Sequence, residues 1–257
     1  PYPTTDEEYD TRWRTDGPGG NVSADALHPD RGVIDPNEVA YVIIEPIQGE
    51  GGYRVAHPEF ARDLEAIRQR YGLRVIADEI QSGLGRTGEL WAVDHLELTP
   101  DVIASGKGLR VGATISRTDV FPTEQSRLSS TWGAGDIIAA MQGVFTIDVI
   151  HEEDLLANVR ERGSQLRAIL TDAVVDGDAP GVIDVRGRGL MLAVEFDTKA
   201  RRDTVLETAF SRGLLTLGCG FKTLRLLPPL DVTEREIDLG ARLLLEAIDS
   251  VADGTDR

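Results

Sequence analysis

Two hydrophobic periods alternate along the chain from residue 39 onward. VAYVIIEP (39–46) is an unbroken apolar run, rich in β-branched residues and stopped by Pro46. This is the pattern of a strand buried on both faces in a parallel sheet. HPEFARDLEAIRQRYG (57–72) changes period: Phe60, Leu64, Ile67 and Tyr71 recur at helical spacing, and Gly72 stands where a C-cap belongs. LRVIADE (73–79) reads as a second buried strand. DVIAS (101–105), after Pro100, reads as a third, with a short helix before it. Strand, helix, strand, short helix, strand is the rhythm of an α/β layered domain.

The second half is patterned differently. IIAAMQGVFTIDVI (137–150) predicts a helix, and EEDLLANVRERGSQLRAILTDAVV (152–175) a long amphipathic one. VIDVRGRGLMLAVEF (182–196) predicts two strands around a Gly-rich turn. DTVLETAFSRG is a helix ending at Gly213, LLTLG a strand, TLRLLPPL a strand ended by paired prolines, and TEREIDLGARLLLEAIDSV a closing helix. The change in pattern places a domain boundary near 150, giving domains 1–150 and 151–257. The opening residues, rich in Pro, Gly, Asp and Thr, show no periodicity, so 1–38 reads as an irregular surface segment.

Charge narrows the function. The 257 residues carry 27 Lys+Arg against 44 Asp+Glu, a formal net charge of −17. A phosphate backbone or an anionic lipid surface calls for a basic face, so nucleic acid and membrane are poor partners. No apolar run approaches the ~18 residues of a membrane span. The acid is dispersed, with 23 acidic and 13 basic residues in 1–144 and 21 and 14 in 145–257. A whole surface biased to carboxylate suits high salt, and the chain reads as halophilic. Cys219 is the only cysteine, so no internal disulfide can form and a reducing cytoplasm is the expected compartment.

Three polar clusters each follow a predicted strand directly: EPIQGEGG (45–52), DEIQSGLGRTG (78–88) and SGKG (105–108). In open α/β sheets ligands sit beyond the carboxyl ends of the strands. Each cluster also has an ordinary reading, as a Gly-rich turn or a solvated strand end. No His or Cys lies near Asp78–Glu79 at ligand spacing, which speaks against a metal. GEGGYR does not match the GxGxxG of a dinucleotide fold. Lysine is scarce, occurring only at 107, 199 and 222 in a chain that otherwise uses Arg. Lys107 reads either as a surface lysine or as an amine that a guanidinium cannot replace. In a desolvated pocket such an amine would attack an aldehyde, and Asp78 facing a pyridine nitrogen would keep that nitrogen protonated.

IIEPIQGEGGY, VIADEIQSGLGRTGELWAVDH and PDVIASGKG, in this order and spacing, resemble the large-domain signature of class III (ω-amino acid) pyridoxal-phosphate aminotransferases of fold type I. STWGAGD, DVRGRGLMLAVEF and LRLLPPL extend the resemblance over roughly residues 39–250. It implies the latter part of a mostly parallel large-domain sheet followed by a C-terminal α+β small domain. It also implies pyridoxal 5'-phosphate as cofactor and a homodimer with shared active sites. Lys107 would form the internal aldimine and shuttle protons, Asp78 would pair with the pyridinium nitrogen, and Gln81 would lie near the phenolic oxygen. Thr131 would bind the phosphate of the partner subunit's cofactor. Arg225 would grip the substrate carboxylate, with Glu50 as the switch that pairs with it when an ω-amino substrate is bound. Gly187 and Gly189 read as a backbone turn.

The implied reaction is transfer of an amino group from a 4-aminobutyrate-like donor to 2-oxoglutarate. Lysine or ornithine ω-transamination and amino-acid racemisation use the same lysine. SGKGLRVGATIS departs from the commoner Gly-rich, Pro-containing lysine segment and is similar to the lysine 6-aminotransferase branch and to 4-aminobutyrate aminotransferase-like proteins. No segment before Val39 resembles the family's phosphate-binding loop or its ring-stacking aromatic. A non-catalytic fragment is therefore the alternative of another class.

Overall fold

The computed structural model describes residues 2–10, 34–124, 127 and 135–254. The chain divides into two compact units. One comprises Pro1–Pro46, Ala56–Leu84 and Trp91–Val149, the other Ile47–Val55, Gly85–Leu90 and Ile150–Arg257.

The first unit is built on a four-stranded sheet of order β1-β2-β3-β4: β1 (Tyr41–Ile44), β2 (Arg74–Asp78), β3 (Val102–Ser105) and β4 (Ala113–Ser116). The first three strands are parallel, and β4 closes the edge antiparallel to β3. Helix α1 (Pro58–Tyr71) joins β1 to β2. Pro58 occupies its first turn, the His57 ring accepts from the Glu59 N–H, and Gly72, at φ 70°, caps its end through an N–H bond to the Arg68 carbonyl. Its apolar stripe, Phe60, Ala61, Leu64 and Ile67, packs with Ile44, Val75 and Ala77. Burial of each large side chain there is worth roughly 1.5–3 kcal/mol. Asp101 ties the layer together: its side chain is fully buried and accepts from the Val75 N–H at 2.9 Å and from Arg74 at 3.0 Å.

Two expectations change here. Strand β1 is not buried on both faces, because Tyr41 and Ile43 are more than half exposed while Ile44 is buried. Among the described residues α1 covers one face only, and an apolar run does not reveal which covering layer is present. Residues 2–10, within the segment expected to be irregular, are also held by specific contacts. Tyr2 stacks on Phe60 and donates to the Glu45 carbonyl, and Tyr9 stacks on His57 and donates to Asp63. Two aromatic rings anchor this segment without any periodicity.

The second unit carries an antiparallel sheet of order β5-β6-β8-β7: β5 (Val182–Arg188), β6 (Met191–Phe196), β7 (Leu217–Cys219) and β8 (Thr223–Leu226). Helix α2 (Ile137–Glu152) leads into it, followed by α3 (Leu155–Asp176), α4 (Lys199–Ser211) and α5 (Glu234–Gly254). Leu192, Val194 and Phe196 alternate onto a core with Leu166, Leu170, Val205, Leu224, Leu244 and Ile248. Met191 and Ala193 face the other way and pack with Ile47, Tyr53 and Cys219. Strand β6 is therefore buried on both faces, with helices on one side and the 47–55 segment on the other.

Candidate active site

In the first unit, the parallel register of β2 and β3 sets Asp78 opposite Ala104, and the Glu79 N–H bonds the Ala104 carbonyl at 2.9 Å. Three residues beyond Ala104, the Lys107 N–H bonds the Ile80 carbonyl at 3.1 Å. Two neighbouring strand ends thus gather Asp78, Gln81 and Lys107. Asp78 is half-buried, and its Oδ1 accepts from the Ile80 N–H at 3.1 Å. Lys107 is exposed, not desolvated as the sequence suggested, and borders a cavity of about 510 Å³ lined by Gly106, Arg110, Val111, Gly112 and Gln142. Gln81 Oε1 and Ser105 Oγ are buried without a hydrogen-bond partner. Such orphaned polar atoms call for an occupant. Thr131 lies outside the described residues.

Glu79, beside Asp78, has a different task. It is 1% exposed and accepts from Ser82 Oγ at 2.5 Å and the Val93 N–H at 2.7 Å. Burial pushes its carboxyl above the ordinary 4.5, against the pull of these hydrogen bonds. A carboxyl with a raised folded pKa favours folding while protonated, and this contribution is lost as pH rises from 4.5 through the raised value. Glu79→Gln is expected to remove that loss. Between pH 4.5 and 7 its urea midpoint should fall less than that of the wild-type chain, and parallel curves would overturn the assignment.

In the second unit, strand register builds a row across the sheet: Arg186 on β5 opposes Ala193 on β6, which opposes Arg225 on β8. Both arginines lie on the face covered by residues 47–55. Their surroundings differ. The Arg186 guanidinium has a partner at each of its three nitrogens, donating to the Gly52 carbonyl, Asp184, Glu195 and Thr223 Oγ1. Arg225 Nη1 meets Glu50 Oε1 at 2.5 Å, while its buried Nε has no partner. Burial disfavours the Arg225 charge, but the Glu50 carboxylate, together with Tyr53 and Cys219, offsets this and leaves the guanidinium above its ordinary value. Glu50 itself is three-quarters exposed, so the pair can open to solvent.

Two side chains here escaped sequence reasoning. Tyr53 is fully buried with φ 55°, and its hydroxyl has no partner. Burial pushes its phenol pKa well up, with Arg225 opposing. Arg186 is one of two arginines in DVRGRG, and only register sets it apart. Cys219 is buried, its thiol pushed to about 11, and is uncharged at neutral pH. Gly187 and Gly189, at φ 121° and 53°, serve the backbone.

Comparison with known proteins identifies the family and the fold. The model of the family described as aminotransferase class-III matches residues 25–248. An L-lysine-epsilon aminotransferase of Mycobacterium tuberculosis is 35% identical over 236 residues, covering 88% of this chain and 52% of that protein. An acetylornithine aminotransferase of Prochlorococcus marinus is 36% identical over 210 residues, 79% of this chain and 50% of that protein. The lysine aminotransferase from M. tuberculosis in its internal aldimine form superposes with a TM-score of 0.81 at 33% identity, covering 90% of this chain and 53% of that one. The ornithine aminotransferase of Toxoplasma gondii, crystallised with partial occupancy of PLP, gives 0.80 at 32% identity, covering 87% and 54%. The chain spans about half the length of the curated relatives it matches. Class III aminotransferases are enzymes dependent on pyridoxal phosphate (PLP). With a family match over most of its length and the matching mixed α/β fold, the chain belongs to the class III aminotransferases.

Proposed function

We propose that this chain carries the cofactor lysine and the carboxylate-gripping arginine of a PLP-dependent ω-aminotransferase with 2-oxoglutarate as acceptor. The observation that carries the reading is the Glu50–Arg225 pair, an exposed carboxylate on a guanidinium whose Nε is buried and free. It fits an arginine that meets two substrates in turn. A donor with no second carboxylate leaves Glu50 in place, whereas a dicarboxylate displaces it and takes the guanidinium fork.

The residues at the β2 and β3 ends fit pyridoxal 5'-phosphate. A half-buried carboxylate, a primary amine and two orphaned buried polar atoms at Gln81 and Ser105 suit a polar ring bearing an aldehyde. When bound, this cofactor supplies a protonated pyridine ring that takes up the electron pair released at the donor's amino-bearing carbon. Asp78 holds the proton on the ring nitrogen. Lys107 Nζ carries the proton from the amino-bearing carbon, acting as base and then acid. The Gln81 amide would serve the phenolic oxygen, and Thr131 would serve the phosphate of the partner subunit's cofactor. The homodimer this implies is supported by α2, which exposes Ile137, Ile138, Met141, Val144 and Phe145.

For the donor, 4-aminobutyrate remains one reading. The names of the relatives, lysine-epsilon and acetylornithine aminotransferases, favour a longer ω-amino donor. Competition among 4-aminobutyrate, lysine, ornithine and acetylornithine in the complete enzyme separates them. Arg225→Gln is expected to raise KM for 2-oxoglutarate about 100-fold, the size of a lost charge-assisted fork, and to change the donor half-reaction much less. Equal losses in both half-reactions would sink the exchange role of this arginine.

A further inference from the structure

The segment that presents Glu50 is a strained turn. Gly52 has φ 104° and Tyr53 φ 55°, two successive left-handed residues, the second with a side chain. Left-handed backbone at a non-glycine residue costs roughly 1–2 kcal/mol and persists only where its surroundings hold it. Here the holding is visible at both ends of the turn. The Glu50 carbonyl accepts the Gly220 N–H at 2.8 Å. The Gly52 carbonyl accepts Arg186 Nε at 2.9 Å, and Arg186 Nη2 continues to Thr223 Oγ1 at 3.0 Å. Asp184 and Glu195 neutralise the same guanidinium at 2.7 and 2.6 Å, so it is fixed in place by the sheet beneath it.

The cross-strand row makes the arrangement specific. Arg186 and Arg225 flank Ala193 on one face, two strand spacings apart. One arginine takes the backbone of the turn and the other takes its carboxylate. We infer that Arg186 is a positioning residue for the Glu50–Arg225 pair: it pins the turn to the sheet and so sets how readily a dicarboxylate displaces Glu50. The inference rests on the exchange role proposed above for that pair. Glu50 and an incoming carboxylate compete for one guanidinium, so the apparent affinity for the newcomer falls with the fraction of time Glu50 is held there. Loosening the turn therefore tightens dicarboxylate binding. An arginine that merely supports the fold would have the opposite effect, since its loss would blur the site and weaken binding.

Calorimetric titration of the intact chain with glutarate, a five-carbon dicarboxylate without an amine or ketone, reads this directly. Glu50→Gln is expected to tighten glutarate binding about fivefold or more, within the usual span of coupling between sites. Arg186→Gln should tighten it in the same direction and speed amide exchange at Gly220 about tenfold. It should add little in the Glu50→Gln background, because both changes act through one competitor. Arg186→Lys keeps a cation beside Asp184 and Glu195 but loses the planar fork that spans Gly52 and Thr223, so it should behave like Arg186→Gln. It carries the test if the glutamine variant fails to fold. If Glu50→Gln tightens binding while both Arg186 variants leave it unchanged or weaken it, Arg186 does not position the pair. If Glu50→Gln itself fails to tighten binding, the exchange role falls first and this inference with it.

Discussion

Incubated with pyridoxal 5'-phosphate and reduced with borohydride, the chain is expected to retain the cofactor on the peptide bearing Lys107. Lys107→Ala should abolish that attachment. The chain offers an internal control, because Lys199 and Lys222 are its only other lysines. Lys199 is tied to Asp203 at 2.5 Å, and Lys222 lies 3.7 Å from Glu195, whereas Lys107 borders an open polar cavity beside Asp78's strand end. Mass spectrometry of the reduced, digested protein reads the outcome. Label shared among the three lysines would mean surface chemistry and remove the basis for the cofactor assignment. In the complete enzyme the same substitution removes both the point of attachment and the proton carrier. A fall in kcat of at least about 10⁴-fold follows, since groups that act as a unit fail together.

Gly187→Ala is expected to be the most damaging single-methyl change for stability. Gly187 sits in β5 opposite Leu192 at φ 121°, and an added Cβ would lie 2.0 Å from the Met191 carbonyl oxygen and 2.9 Å from the Leu192 Cα. Both contacts are with backbone, so no rotamer change relieves them. A cost above about 4 kcal/mol follows from overpacking together with a disallowed φ. At roughly 2–4 °C per kcal/mol, the melting temperature drops by about 8–16 °C. Gly177→Ala is the matched control. Its φ of 84° is equally left-handed, but nothing lies within 4 Å of the added carbon. It should cost only about 1–2 kcal/mol, the backbone contribution alone. Equal losses for the two variants would show that conformation, not crowding, governs the RGRG hairpin.

Most elements were legible because their signals are local. The spacing of Phe60, Leu64 and Ile67 and the cap at Gly72 locate α1 without reference to the rest of the molecule. Strand β4 escaped because ATIS is short, polar and half exposed, and only β3 defines it. The expectation for β1 failed for a related reason: apolar sequence records what a strand can bury against, not which layer is there. At the site, Lys107 stood out through lysine scarcity and its place between glycines just past a predicted strand. The pairing of Glu50 with Arg225 was legible only through family resemblance, since 175 residues separate them. Arg186 was not legible at all. Its place in the row with Ala193 and Arg225 exists only once β5, β6 and β8 are in register.

The route of the chain through its two units sets an order of events during synthesis. Residues 47–55 belong to the second unit, yet the strands they cover, β6 to β8, lie more than 130 residues downstream. At roughly 5–20 residues per second, Arg225 emerges about 9–35 s after Glu50. Through that interval Ile47, Tyr53 and Val55 have no sheet to pack on. The first unit can assemble around α1 as soon as its strands are made. The turn that presents Glu50 is synthesised well before the strands it packs on and is among the last to find its place. A nascent chain stalled before β8 would present that apolar turn to whatever chaperone waits at the ribosome.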